Sequence, residues 1–434
     1  MLMDQTARMN LSFMRVLLIH QNFPGQFKHL GPALVARGDD VVALTPKVKK
    51  PVNLNGVKVI PYVISRSSAK GVHPWLIDFE TKVIRCEACY HAAKKLRDRG
   101  FEPDIILAHP GWGESLFLKD VWPEARMGLY CELYYEDESG VAEFDPEFPI
   151  PDPSLNPLRL RFKNLNNHMH FDIAEAGISP TRFQAATFPE SFRKHIKIAH
   201  DGVDTNYLKP NAAAELKVSD RLSLTKEDEV ITFVNRNLEP YRGYHVFMRA
   251  LPELLRKRPK AQIVILGGDG LSYGARPPEG QTWKKIYIDE VRADISDQNW
   301  QRVHFLGRVP YDTFLSALQV SRVHIYLTYP FVLSWSLIEA MSAECAIIAS
   351  DTAPVKEIIK QRKTGVLVDF FNQKALVSRI DALLGNPRRR AKLGAAARSF
   401  VVANYDLQSC CLPAQLDWVD QLAKEPLKTV YKPD

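Results

Sequence analysis

Nowhere does the sequence hold an apolar run of the roughly 18–20 residues that a membrane-spanning helix needs. The first residues, MLMDQTARMNLSFMR, carry Asp4 and no apolar segment of the secretory-leader kind, so they read as an extension ahead of a strand that Met14 opens. Cysteine is scarce, six residues in 434, at 86, 89, 131, 345, 410 and 411. That spacing excludes a disulfide-dense secreted scaffold and fits a reducing compartment. Cys86 and Cys89 form a C-x-x-C inside a helical pattern with no second pair, and His168 and His170 point to different helix faces, so no metal cluster is expected. The G-x-G-x-x-G fingerprint of dinucleotide folds is also missing. A strong excess of one charge is missing too: the net charge is +7 and the isoelectric point about 8.9. Spread over this length, that excludes a nucleic-acid footprint and leaves mild attraction to anions.

What is present is a repeated unit of buried strand, loop and helix. Arg15 to His20 reads as an aliphatic strand, followed by the loop Gln21 to Gln26 with Gly25, then a helix whose apolar residues Phe27, Leu30, Leu34 and Val35 recur at helical spacing. Val41 to Thr45 closes a parallel βαβ unit. Strands at 104–109 and 126–132 end in His109 and Glu132, and open α/β sheets bind ligands at such carboxyl ends. Five prolines at 146, 149, 151, 153 and 157 predict an irregular rim, followed by a basic helix from Leu158 to Phe171. The pattern restarts at Val230, with Arg236 and Arg242 in the loop after the first strand and Gly267-Gly268-Asp269-Gly270 after the second. Two doubly wound α/β domains facing across a cleft are expected. The boundaries are an N-terminal acceptor-side domain at 14–208, a polar linker at 209–228, a nucleotide-sugar domain at 229–402, and helices at 403–434 that cross back to the first domain.

Leu327 to Asp351 runs strand, turn, helix, strand without a spacer. A turn just before a helix N-terminus turns backbone N–H groups and partial positive charge toward a ligand, and this suits a diphosphate. Glu339 lies about one turn into that helix, on the ligand side.

The order Gly25 loop, His200-Asp201-Gly202-Val203-Asp204, Arg236 with Arg242-Gly243, Gly267-Gly268-Asp269, Phe305-Leu306-Gly307 and Glu339-Ala340-Met341 through Ala349-Ser350-Asp351 resembles the family-4-type retaining glycosyltransferases of GT-B fold, the group 1 glycosyl transferases. The resemblance implies a metal-independent hexosyltransferase that moves sugar from a UDP- or GDP-sugar to a saccharide or lipid-linked saccharide, in polysaccharide or glycoconjugate synthesis. It implies no cofactor beyond the nucleoside-diphosphate sugar substrate and no nucleic-acid partner. Its place would be the cytoplasm, with peripheral contact at the inner face of the plasma membrane open, for which Lys47 to Lys50 and Trp75 are candidates.

By position, the resemblance assigns Arg236 and Arg242 to the diphosphate, and Gly25, Gln26, Gly268, Asp269, Leu333, Ser334, Trp335, Ser336 and Glu339 to donor binding, with Glu339 on the ribose hydroxyls. His109 or Glu132 would line the reacting centre. The family signature places a first glutamate eight residues before the second, and here that residue is Phe331. This departure keeps a different reading open: a GT-B sugar-nucleotide epimerase, or a catalytically silent sugar-nucleotide-binding scaffold.

Overall fold

The computed structural model describes residues 13–136, 141 and 143–428. The chain divides into two compact units, the first built from residues 1–136, 152–201 and 412–434, the second from 137–151 and 202–411.

The first unit is an eight-stranded sheet of β1 Arg15–Ile19, β2 Asp40–Thr45, β3 Val52–Leu54, β4 Val57–Pro61, β5 Ile105–Ala108, β6 Arg126–Tyr130, β7 Ala176–Ser179 and β8 Ile196–Ile198, in the order β3-β4-β2-β1-β5-β6-β7-β8. All pairings are parallel except β3 with β4. Alternate residues of a strand face opposite sides, and the aliphatic runs obey this. Leu17, Ile19, Val42, Leu44 and Ile106 pack with Cys89, Ala93 and Leu96 of the helix Pro74–Arg97. Val16, Leu18, Val41, Ala43 and Leu107 pack on the other face with Leu30 and Leu34, and with Trp418, Val419 and Leu422 of the helix Leu412–Leu422. The inner strands β1, β2 and β5 are apolar and buried because helices cover both faces, whereas the edge strands β3 and β8 carry Asn53 and Lys197 and are more open.

The second unit holds a parallel six-stranded sheet of β11 Glu229–Asn237, β12 Ala261–Gly268, β13 Val303–Gly307, β14 Val323–Tyr326, β15 Ile347–Ser350 and β16 Val366–Val368, in the order β13-β12-β11-β14-β15-β16.

Several expected boundaries move. The stretch 209–228, expected as a linker, carries the antiparallel hairpin β9 Glu215–Ser219 and β10 Leu222–Thr225. Its Ala214, Leu216 and Leu224 are buried with Val230, Val264 and Ala317, so this polar stretch is part of the second core. The first unit gives way to the second at residue 202 rather than 208, and of the terminal stretch only residues from 412 onward join the first unit. The helix Pro387–Tyr405 stays with the second, where Ala397 and Val401 pack under Leu337 and Met341. The helix expected from Leu158 to Phe171 is two, Asn156–Lys163 and Leu165–Ile173. Asn164 breaks it because its side-chain oxygen accepts from Tyr135 N–H and its amide donates to Tyr135 O, so it serves a neighbouring loop.

Of the expected irregular rim, the part up to Pro151 is a strap on the second unit, whereas Pro153 opens a 3-10 turn and Pro157 the helix Asn156–Lys163, both in the first unit. Phe144 packs against Tyr329, Phe370 and Phe371, and Phe148 against Trp283 and His245. Asp145 accepts from Tyr329 OH at 2.5 Å and pairs with His245 Nε2 at 2.9 Å, while Glu147 pairs with Arg249 at 2.6 Å.

Candidate active site

In a doubly wound sheet the ligand crevice opens where the strand order reverses. In the first unit this point is β1, flanked by β2 and β5. The loops that leave β1 and β5 there carry Gln21 to Gln26 and His109. In the second unit it is β11, flanked by β12 and β14; Arg236, expected in the loop, lies near the end of β11 itself, and Arg242, in the short turn that follows, meets the stretch from Leu327 to Ser336.

On the first unit, Gly25, Gln26, His109 and Glu132 come together, and they gather around a residue that sequence reasoning missed. His20 is buried at the end of β1. Asn22 N–H donates to His20 Nδ1 at 2.9 Å, and His20 Nε2 meets Gln26 Oε1 at 2.6 Å. Gln26 Nε2 in turn donates to Glu132 Oε1 at 3.2 Å. His109 Nδ1 accepts from Gly111 N–H at 3.1 Å, and its Nε2 lies 3.4 Å from Glu132 Oε2 without making a hydrogen bond. The His109 ring stacks on Trp112 and Tyr130, and the Tyr130 hydroxyl donates to Asp201. Burial first, and the neighbouring His109 second, push the His20 pKa down to about 3, so this imidazole is neutral. Gly25 has φ +47°, and a Cβ there would meet the His20 ring at 2.2 Å, so the loop closes over His20 only because residue 25 has no side chain. The signal for His20 was available: it ends a strand, as His109 does, but it reads as part of an aliphatic run.

The helix Leu165–Ile173 supports this loop from behind. Asn166 Nδ2 donates to Pro110 O at 2.9 Å, and His170 Nε2 meets Ser115 Oγ at 2.7 Å. His168 instead meets the Tyr134 hydroxyl, so the two histidines serve separate partners. A metal-ligand spacing does occur among the described residues at Asp145, Glu147 and His245. Those side chains are committed to the strap through Tyr329 and Arg249.

On the second unit, Arg242 is buried and donates from Nη1 to Thr328 Oγ1 at 2.8 Å and to Val332 O at 2.9 Å. Its guanidinium also lies against the Tyr273 and Phe331 rings, 5.4 and 5.7 Å from their centroids. Arg236 is exposed, and its charge acts on the Glu239 carboxylate. Gly268 pairs with Asn237 across β12 and β11. Asp269 is exposed and faces Lys284 at 3.2 Å.

Ser334 caps the helix Trp335–Ser342 by accepting from Ser336 N–H, and its own N–H donates to the Tyr326 hydroxyl at 2.8 Å. Leu333 and Ser336 are buried and Trp335 is exposed. Glu339 is half-buried and accepts from Tyr311 OH at 2.7 Å. Phe331 does not project from the sheet edge. It is buried in an aromatic nest with Tyr241 and Tyr273. Tyr273 reaches that nest because Glu239 accepts from Ser272 and Tyr273 N–H at 2.8 and 3.1 Å, which ties down the loop after β12. Glu239, Tyr273 and Tyr311 were not singled out from sequence. Glu239 sits between the two noted arginines, but its role depends on a loop more than thirty residues away.

Comparison with known proteins adds the lineage. The family model described as Glycosyl transferase family 4 group matches residues 37–208, and that described as Glycosyl transferases group 1 matches residues 217–400. A GDP-mannose-dependent alpha-(1-6)-phosphatidylinositol monomannoside mannosyltransferase of Mycolicibacterium smegmatis is 26% identical over 235 residues, covering 52% of this chain and 56% of that one. Spore coat protein SA of Bacillus subtilis is 26% identical over 237 residues, covering 51% and 57%. The chain thus spans about half the length of the curated relatives it matches. Among solved structures, sucrose-phosphate synthase from Thermosynechococcus elongatus shares the fold with TM-score 0.71 at 18% identity, covering 94% of this chain and 99% of that one. HepE of Anabaena in complex with UDP does so with TM-score 0.64 at 13% identity, covering 94% and 100%. With one model on each half and the whole architecture matched, the chain belongs to the group 1 glycosyltransferases of GT-B fold.

Proposed function

We propose that the protein transfers a hexosyl group from a UDP- or GDP-sugar to a saccharide or lipid-linked saccharide acceptor, with retention of configuration. The observation that carries this reading is Arg242. Its guanidinium is fixed at the strand-order switch of the second unit, beside the Ser334-capped helix that bears Glu339. A fixed guanidinium there meets the charge that grows on a departing diphosphate, and an arginine held in place loses little on reorganising. Arg236, exposed near the end of β11, adds a second cation, and Glu339 is the acceptor for ribose hydroxyls. Gly268, Asp269 and residues Leu333 to Ser336 line the donor side. Gly25, Gln26, His109 and Glu132 belong to the sugar and acceptor side. The reading assigns no step to a metal or cofactor, because the charge on the leaving group is met by arginine and helix terminus.

Release of nucleoside diphosphate tests it. The protein is incubated with UDP-glucose or GDP-mannose, with and without acceptor saccharides. Turnover of one donor supports transfer, whereas binding of UDP or GDP with no turnover of any donor supports the scaffold reading that Phe331 raises. Formation of an epimeric sugar nucleotide without acceptor supports the epimerase.

No helix among the described residues is long and apolar enough to cross a membrane. A lipid-linked acceptor would bring the protein to a membrane surface from one side. Trp75 packs near Phe162, with Leu76, Ile77 and Leu158 exposed, and Arg159 and Arg161 among them. Co-sedimentation with anionic but not neutral vesicles is the expected result.

A further inference from the structure

The carboxyl edge of the first unit contains two imidazoles whose proton positions are dictated by backbone amides. A backbone N–H can only donate, so the nitrogen that receives it must be bare. Asn22 N–H reaches His20 Nδ1 and Gly111 N–H reaches His109 Nδ1, so each neutral ring carries its proton on Nε2. His20 Nε2–H therefore donates to Gln26 Oε1, which orients the amide so that Gln26 Nε2 donates to Glu132 Oε1. One carboxylate oxygen is fixed in this way. The other lies 3.4 Å from His109, whose buried Nε2–H makes no hydrogen bond among the described residues.

We propose that His20 and Gln26 are positioning residues: they fix the Glu132 carboxylate beside His109, whose Nε2–H, set by the Gly111 amide, is left to donate to a hydroxyl or ring oxygen of the bound sugar. The assignment of Gln26 to direct donor contact changes accordingly, since both ends of its amide are occupied within the protein. An unpaired donor in a buried site is costly unless a ligand oxygen completes it. The titratable groups around the relay include Glu114 and His170, which both act on His109, and Tyr130, which stacks on His109 and is held by Asp201. Burial raises both Glu114 and Tyr130 toward their neutral forms.

The part concerning transfer rests on the function proposed above, whereas the proton positions do not. Nitrogen NMR of the imidazoles in the full-length protein reads them without substrate. Both rings are expected as Nε2–H tautomers, with His20 remaining neutral from about pH 5 to 8. Two substitutions then separate positioning from packing. Gln26→Met keeps the length but loses both hydrogen bonds, and turnover is expected to fall about 10-fold to 100-fold with donor KM little changed. Gln26→Glu keeps the acceptor for His20 but donates to Glu132 only when protonated, so its activity is expected to recover toward acid pH. Loss of packing alone gives no such shift.

An Nδ1–H tautomer at either histidine overturns the proposal, as does a Gln26→Glu protein with the wild-type rate and pH profile. If the wild type turns over no donor, the transfer reading fails by itself, and the tautomers still decide whether the relay exists.

Discussion

Two arginines that look alike in sequence differ in what surrounds them. Arg242 fills a buried slot in which Thr328 Oγ1 and Val332 O depend on its guanidinium, while Arg236 stands in solvent. Removing one partner of a buried hydrogen bond leaves the other unsatisfied, at about 1–3 kcal/mol. Arg242→Ala is therefore expected to lower stability to urea by about 2 kcal/mol or more, and Arg236→Ala by less than about 0.5 kcal/mol. Both are expected to weaken nucleoside-diphosphate binding. Equal and small stability losses would show that the slot around Arg242 is loose. Arg242→Lys is also not conservative here, because an ammonium lacks the planar face that lies against the Tyr273 and Phe331 rings. Sequence reading placed the pair but could not tell buried from exposed, because that depends on Thr328, Phe331 and Tyr273 from other segments. Phe331 shows the same limit. Its position marked a missing carboxylate, but only the fold shows the ring turned inward onto Tyr241 and Tyr273. Phe331→Ala is expected to cost about 3–5 kcal/mol, as for other buried aromatics, and to make the Tyr273 loop more sensitive to protease.

Elements with long aliphatic runs were legible from sequence, since a strand covered on both faces can be little else, and β1, β2, β5, β11, β12 and β15 all fall where the runs do. The hairpin of β9 and β10 was hidden by its charges. Its signal is alternation, with Leu216 and Leu224 inward and Lys217 and Ser223 outward. Leu216→Ala or Leu224→Ala is expected to cost about 2–5 kcal/mol in urea unfolding, which a flexible linker would not show. The strap was hidden for the opposite reason: its three prolines, at 146, 149 and 151, mark irregular backbone without saying what it lies on. Its polar anchor is Asp145. Burial raises the carboxyl pKa, but hydrogen bonds from His245 and Tyr329 outweigh this and hold it below the usual 3.8. A lowered folded pKa gives stability that is complete above the unfolded value and lost as pH falls through the folded one. Asp145→Asn is thus expected to be less stable than wild type by about 1.5–3 kcal/mol at neutral pH, with the gap closing below about pH 4. A gap that persists unchanged in acid would assign the loss to packing instead.

At the scale of the whole chain, the first unit is assembled from distant pieces of sequence. The chain leaves it for residues 137–151, leaves it again at 202 and re-enters at 412. The re-entering helix is more than a tail, because Trp418, Val419 and Leu422 fill the face formed by Val16, Leu18, Val41 and Tyr130. Its seat is cut to fit: a Cβ on Gly128 of β6 would meet Leu422 at 2.7 Å and Trp418 at 2.8 Å. Burying a large apolar side chain stabilises by roughly 1.5–3 kcal/mol, so the three together contribute about 5–9 kcal/mol. That is comparable with the whole stability of a typical domain, about 5–15 kcal/mol. A protein ending at residue 411 is therefore expected to lose its first unit while keeping the second, whose core lies entirely within the residues retained. Hydrogen exchange reads this directly: amides of β1, β5 and β6 lose protection, while those of β11, β12 and β14 keep it. Gly128→Ala is the milder form of the same test, since overpacking costs about 1–3 kcal/mol, and it should weaken protection in the first unit alone. Uniform loss across both sheets would mean that the two cores unfold as one, and full protection everywhere would mean that the helix is dispensable. The differential outcome follows from where each apolar residue is buried, and it identifies the C-terminal helix as a required part of the fold that holds His20, Gln26, His109 and Glu132 in place.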